Sequence, residues 1–133
     1  MPERVDPSAV RYDTQGLVVA IVQDAESRDV VMVAYMNEAT LRRTLEVGQA
    51  VFWSRSRQEV WHKGATSGDF IEVVSIAADC DSDALLIQGR LLGSGVCHTG
   101  SRSCFVDVAD GAVRAVAVSS AAGSRAGPLI ARA

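Results

Sequence analysis

The chain has 133 residues and a formal net charge of −3, with 48% apolar and 22% charged residues. That length suits one domain whose hydrophobic core needs no disulfide support, and the acidic balance argues against duplex nucleic acid, which is usually met by a basic face. No apolar run reaches a membrane span and the polar first residues lack the apolar stretch of an export signal, so no membrane partner and a reducing cytoplasm are expected.

Residues 1–15 are polar, carry Pro2 and Pro7, and read as an irregular lead-in. Gly16 opens a nearly continuous β-branched run over 17–23, the pattern of a strand buried on both faces or of a central one. A charged turn over 24–29 leads into a second strand over 30–36, and the two read as a hairpin. Asn37 then stands where an N-cap belongs, Glu38 follows in the first turn, Leu41 and Leu45 are spaced i,i+4, and Gly48 is a natural stop. This predicts a helix over 38–47 whose leucine stripe belongs to the core. Strand-like segments resume at 50–54, 59–63, 70–77, 84–92, 104–108 and 112–118. One helix among about eight extended segments argues against a parallel α/β fold. The expected class is α+β, a mainly antiparallel or mixed β-sheet domain over 1–118, with 119–133 as a flexible Ala-, Ser-, Gly- and Arg-rich tail.

Two stretches carry chemistry. In 79–104 lie all three cysteines, Cys80, Cys97 and Cys104, together with Asp79, Asp81, Asp83 and His98. Thiolates are soft ligands that suit zinc, and carboxylates are hard ligands that suit magnesium, calcium or manganese. If 79–83 is extended, the three aspartates share one face and Cys80 points away, towards another part of the fold or another subunit. Cys97 and Cys104 can curl onto one ion, and three sulfurs would leave a fourth position open, as at a catalytic zinc. By count alone, three ordinary buried thiols fit as well. An EF-hand would need Gly and Glu where Ala84 and Arg90 stand, and no Cys-x-x-Cys is present.

The second stretch runs Trp53-Ser54-Arg55-Ser56-Arg57 and then Trp61-His62-Lys63-Gly64-Ala65-Thr66-Ser67-Gly68. Guanidinium forks, an ammonium, hydroxyls and glycine amides are phosphate binders, and an aromatic face can stack on a purine. The expected substrate contacts are Trp53, Ser54, Arg55, Ser56, Arg57, Lys63, Thr66, Ser67 and Gly68, with a phosphorylated nucleotide as ligand. His62 reads as an exposed residue and not a ligand. The alternative is a solvated hairpin whose tryptophans anchor the core.

Taken together, Asp79-Cys80-Asp81-x-Asp83-Ala84-Leu85-Leu86 and Cys97-His98-Thr99-Gly100-x-x-Ser103-Cys104-Phe105 resemble the signature of phosphoribosyl-AMP cyclohydrolases. Gln23-Asp24, Ala34-Tyr35-Met36-Asn37, the Trp53–Arg57 segment and Trp61-x-Lys63-Gly64-x-Thr66-Ser67-Gly68 agree in order and spacing. The resemblance implies hydrolysis of the N1–C6 bond of the adenine ring of phosphoribosyl-AMP, giving the ProFAR-type intermediate of histidine biosynthesis. It implies a homodimer with one zinc per chain, shared between subunits through Cys80, Cys97 and Cys104, and magnesium at Asp79, Asp81 and Asp83. His98 matches the histidine assigned to proton transfer. The chain departs from the family pattern at Ala65, where Glu is usual, and at Ile71-Glu72, where Gln-Lys is common. The rival readings are a diverged member that binds nucleotide and metal without this catalysis, and a hydrolase of another modified purine nucleotide.

Overall fold

The computed structural model describes residues 5–93 and 103–105. The first β-branched run forms β1, Val18–Asp24, in which buried and half-buried residues alternate along the whole strand. It returns antiparallel as β2, Val30–Met36. The turn between them is fixed by the buried Asp24, whose carboxylate accepts the Glu26 amide at 2.9 Å and the Ser27 hydroxyl at 3.2 Å. Such side-chain-to-backbone bonds replace the ladder where the chain must reverse.

Helix α1 spans Glu38–Val47, as the Asn37 and Gly48 signals require. The Asn37 side chain accepts the Thr40 amide at 2.8 Å, the Thr40 hydroxyl accepts the Asn37 amide at 3.0 Å, and Gly48 ends the helix at φ 76°. Leu41 is fully buried and Leu45 packs beside it. Thr44, also buried, ties the helix to the next strand by accepting the Val51 amide at 2.9 Å. Strands β3, Val51–Ser54, and β4, Glu59–His62, form a separate antiparallel hairpin. Strands β5, Ile71–Ala78, and β6, Ala84–Leu91, form another, which joins the main sheet.

That sheet has the order β2-β1-β6-β5, and β6 runs parallel to β1, so it is mixed with β1 at an interior position. Ahead of β1, Asp6 caps a 3-10 turn over Pro7–Ala9, and Val5, Val10 and Tyr12 pack on the core. The strand expected from residue 104 does not begin there, since Ser103–Phe105 is outside any strand. The rest of that segment, the one at 112–118 and the tail at 119–133 lie outside the described residues. No helix among the described residues is long and apolar enough to cross a membrane.

The two faces of the main sheet differ. Val18, Ala20 and Val22 of β1, Leu85 and Ile87 of β6 and Ile71 and Ile76 of β5 form an inner face, closed by Leu41 and Phe52. On the outer face, register aligns Val33, Ile21, Leu86 and Ala77 in one row across all four strands. Val33 is 47% exposed and Leu86 38%. The next row is polar: the Ser75 hydroxyl donates to Gln88 at 3.2 Å, the Gln88 amide to Gln23 at 2.9 Å, and the Gln23 amide to the Arg28 carbonyl at 2.9 Å.

Candidate active site

Residues Asp79–Asp83 are not extended but form the tight turn between β5 and β6. The Asp79 amide donates to the Ala84 carbonyl at 3.0 Å and the Ser82 amide to the Asp79 carbonyl at 3.0 Å, with Ser82 left-handed at φ 62°. One oxygen of the Asp79 carboxylate accepts the amides of Asp83 (3.0 Å) and Ala84 (3.2 Å). An aspartate that satisfies amides four and five residues ahead stabilises a reversal over a strand, which is why alternation fails here. The expected gathering still occurs by another route. Carboxylate oxygens of Asp79, Asp81 and Asp83 lie within 4.8 Å of one another, all exposed.

The electrostatics of the turn follow from that crowding. Hydrogen bonding to the Asp81 carboxylate, then to Asp79, favours the protonated form of Asp83 and raises it above the ordinary carboxylate range. For Asp79 desolvation works upward but is outweighed by the Asp83 and Ala84 amides, so its carboxyl lies below that range. A site in which one of three carboxylates resists ionisation fits a hard dication, whose charge would offset all three.

Of the cysteines among the described residues, Cys80 and Cys104 are not brought together within one chain. Cys80 is exposed in the acidic turn, just before β6 begins. Cys104, also exposed, is held at the other end of the sheet, where its amide donates to the Val31 carbonyl at 2.8 Å on the edge strand β2. The Ser103 hydroxyl bonds the same carbonyl at 3.3 Å. Strand rise and spacing put the two roughly 15 Å or more apart. Two sulfurs on one zinc are separated by at most about 4.6 Å. The donor set is soft and suits zinc, but Cys80 and Cys104 of one chain cannot share an ion. Cys97 and His98 lie outside the described residues.

The second stretch makes a cleft. Tyr35, Trp53, Ser54, Arg55, Ser56 and Trp61 line a hollow of about 490 Å³ between β2 and the β3–β4 hairpin. The Arg55 guanidinium lies over the Tyr35 ring, 3.9 Å from its centroid. A second cleft of about 420 Å³ shares Tyr35 and is lined also by Arg11, Tyr12, Asp13, Asp81 and Asp83. The acidic turn and the arginine hairpin are therefore joined through one aromatic side chain.

The remaining expected contacts divide. Arg57 lies outside the first cleft and approaches Glu59 at 3.9 Å. Thr66, Ser67 and Gly68 form an exposed turn, where the Ser67 hydroxyl accepts the Asp69 amide at 3.2 Å. That turn closes on Gly64, at φ 94°, where a Cβ would come within 2.4 Å of the Phe70 nitrogen. Lys63 is buried at 5% exposure, with its ammonium 6.0 Å from the Trp61 ring centroid. His62, expected to be exposed, is half-buried: it bonds Gln49 at 2.8 Å and meets Phe70 edge-on. Tyr35 and Arg11 were not among the expected site residues. The outward position of Tyr35 in the β2 alternation is a signal for the first. Arg11 is placed by its amide bond to the Ser82 carbonyl at 2.8 Å, a tertiary contact without a local sequence mark.

The family model for phosphoribosyl-AMP cyclohydrolase matches residues 32–106. The phosphoribosyl-AMP cyclohydrolase of Bifidobacterium longum is 51% identical over 98 residues, 74% of each chain. That of Aromatoleum aromaticum is 50% identical over 104 residues, 77% of this chain and 78% of its own. The histidine biosynthesis bifunctional protein HisIE of Nostoc sp. is 55% identical over 108 residues, 80% of this chain but 50% of its own. The chain thus spans about half the length of the bifunctional relatives it matches. With the acidic turn, the cysteine positions and the arginine hairpin all inside or bordering the matched span, the chain belongs to the phosphoribosyl-AMP cyclohydrolase family.

Proposed function

We propose that the chain hydrolyses the N1–C6 bond of the adenine ring of phosphoribosyl-AMP, in the histidine-biosynthetic reaction for which its relatives are named. The observation that carries this is the junction at Tyr35 of a cleft holding Arg55 with an acidic, metal-suited turn. A nucleotide with two phosphate groups needs both: guanidinium donors for phosphate and a hard cation to offset its charge. Trp53 and Trp61 offer faces for the purine, and Ser54 and Ser56 offer hydroxyl donors. Asp79, Asp81 and Asp83 would hold magnesium, and Cys80, Cys97 and Cys104 would hold zinc. When bound, zinc supplies Lewis acidity toward a water and magnesium supplies positive charge beside phosphate. His98, next to Cys97 in the chain, would take a proton from the water or give one to N1 as the ring opens.

The proposal includes a homodimer. Two sulfurs that cannot meet within a chain can meet between two chains, because a two-fold axis exchanges the ends of facing sheets. The exposed row of Val33 and Leu86 gives the outer face an apolar surface to bury in such a pairing. Thiolates kept for metal suit the reducing cytoplasm.

The second reading, a member that binds nucleotide without catalysis, is favoured by Ala65, which puts a methyl group in the exposed turn beside Thr66. One assay separates the two. Purified protein incubated with phosphoribosyl-AMP, zinc and magnesium is expected to open the ring, followed by the change in ultraviolet absorbance. Saturable substrate binding without that change would establish the binding-only reading.

A further inference from the structure

Arg55 differs from its hairpin neighbour Arg57 and from three other arginines of the chain. Arg42, Arg43, Arg57 and Arg90 each pair with a glutamate, whereas Arg55 makes no ion pair to a carboxylate among the described residues. Its guanidinium is held instead over the face of Tyr35, 3.9 Å from the ring centroid. A ring face attracts the cation without occupying its in-plane N–H donors, so the fork stays available to an anion. Tyr35 is the next-to-last residue of β2, paired opposite Val19 of β1. It also lines both clefts, the one with Arg55 and the one with Asp81 and Asp83.

We propose that Tyr35 is a positioning residue, which holds the Arg55 guanidinium to receive a phosphate of the nucleotide and sets its distance from the acidic turn. The inference rests on the nucleotide reading above. A preset guanidinium loses less side-chain freedom on binding, so the gain is in affinity. Because the phosphate is held alike before and during ring opening, losing the pair raises KM and leaves kcat nearly unchanged.

The test is a double-mutant cycle on the full chain with both metals present. Tyr35→Leu is expected to raise KM for phosphoribosyl-AMP about three- to tenfold, the range of a cation–π contact. Tyr35→Phe, which keeps the ring face, is expected to retain the wild-type KM. In an Arg55→Ala background, Tyr35→Leu is expected to add no further increase. Tyr35→Val, suited to a strand, replaces the leucine variant if that one fails to fold. The proposal is overturned if Tyr35→Leu raises KM equally with and without Arg55, if Phe is as damaging as Leu, or if the loss falls on kcat alone. If the wild-type protein shows no turnover, the activity reading fails separately. The same cycle is then read from AMP affinity by calorimetry, and absence of AMP binding to wild type would overturn the pair as well.

Discussion

Leu85 and Leu86 are neighbours on β6, yet one is 1% exposed in the core and the other 38% exposed on the outer face. The same contrast runs through the whole main sheet. Its inner face is apolar from β2 to β5 and is closed by α1 and β3. Its outer face carries an apolar row, a hydrogen-bonded glutamine row, and at one end Tyr35 between the two clefts. Chain folding accounts fully for the inner face. The outer face spends side chains that folding does not need, which is where assembly and ligand binding are to be sought.

Substitutions at the two leucines sharpen this difference. Leu85→Ala is expected to cost about 3 kcal/mol, since a fully buried leucine loses both transfer energy and packing. Urea unfolding measures it, and a loss below about 1 kcal/mol would place Leu85 outside the essential core. Leu86→Lys is expected to change the stability of the dilute, single chain by no more than about 0.5 kcal/mol, as at ordinary surface positions. Its effect should fall on the proposed homodimer, for which light scattering is expected to read two chains in the wild type and one in the variant. A Leu86→Lys protein that remains a dimer would remove the outer face from the interface.

Much of this was legible in the chain. Asn37, the Leu41–Leu45 spacing and Gly48 bound α1 at both ends because caps are local chemistry, complete within a few residues. The β-branched run before Gln23 marked an interior strand for the same reason. The acidic turn misled because period-two aspartates mimic strand alternation, while Asp79 in fact bonds the amides of Asp83 and Ala84. The parallel β1–β6 pairing and the Arg11–Ser82 bond had no local mark, being contacts between distant parts of the chain. Ligand types at Cys80 and Cys104 could be read, but their placement at opposite ends of the sheet could not.

That separation makes the proposed shared metal site directly testable. Cys80→Ser and Cys104→Ser should each be inactive, since every site in either homodimer lacks one sulfur. A mixed dimer has one site carrying both lesions and one site with all its ligands intact. Refolding the two variants together should restore up to about a quarter of wild-type activity, if half the dimers are mixed and one site in each works. No recovery, with mixed dimers demonstrated by native mass spectrometry, would contradict a zinc site built from two chains.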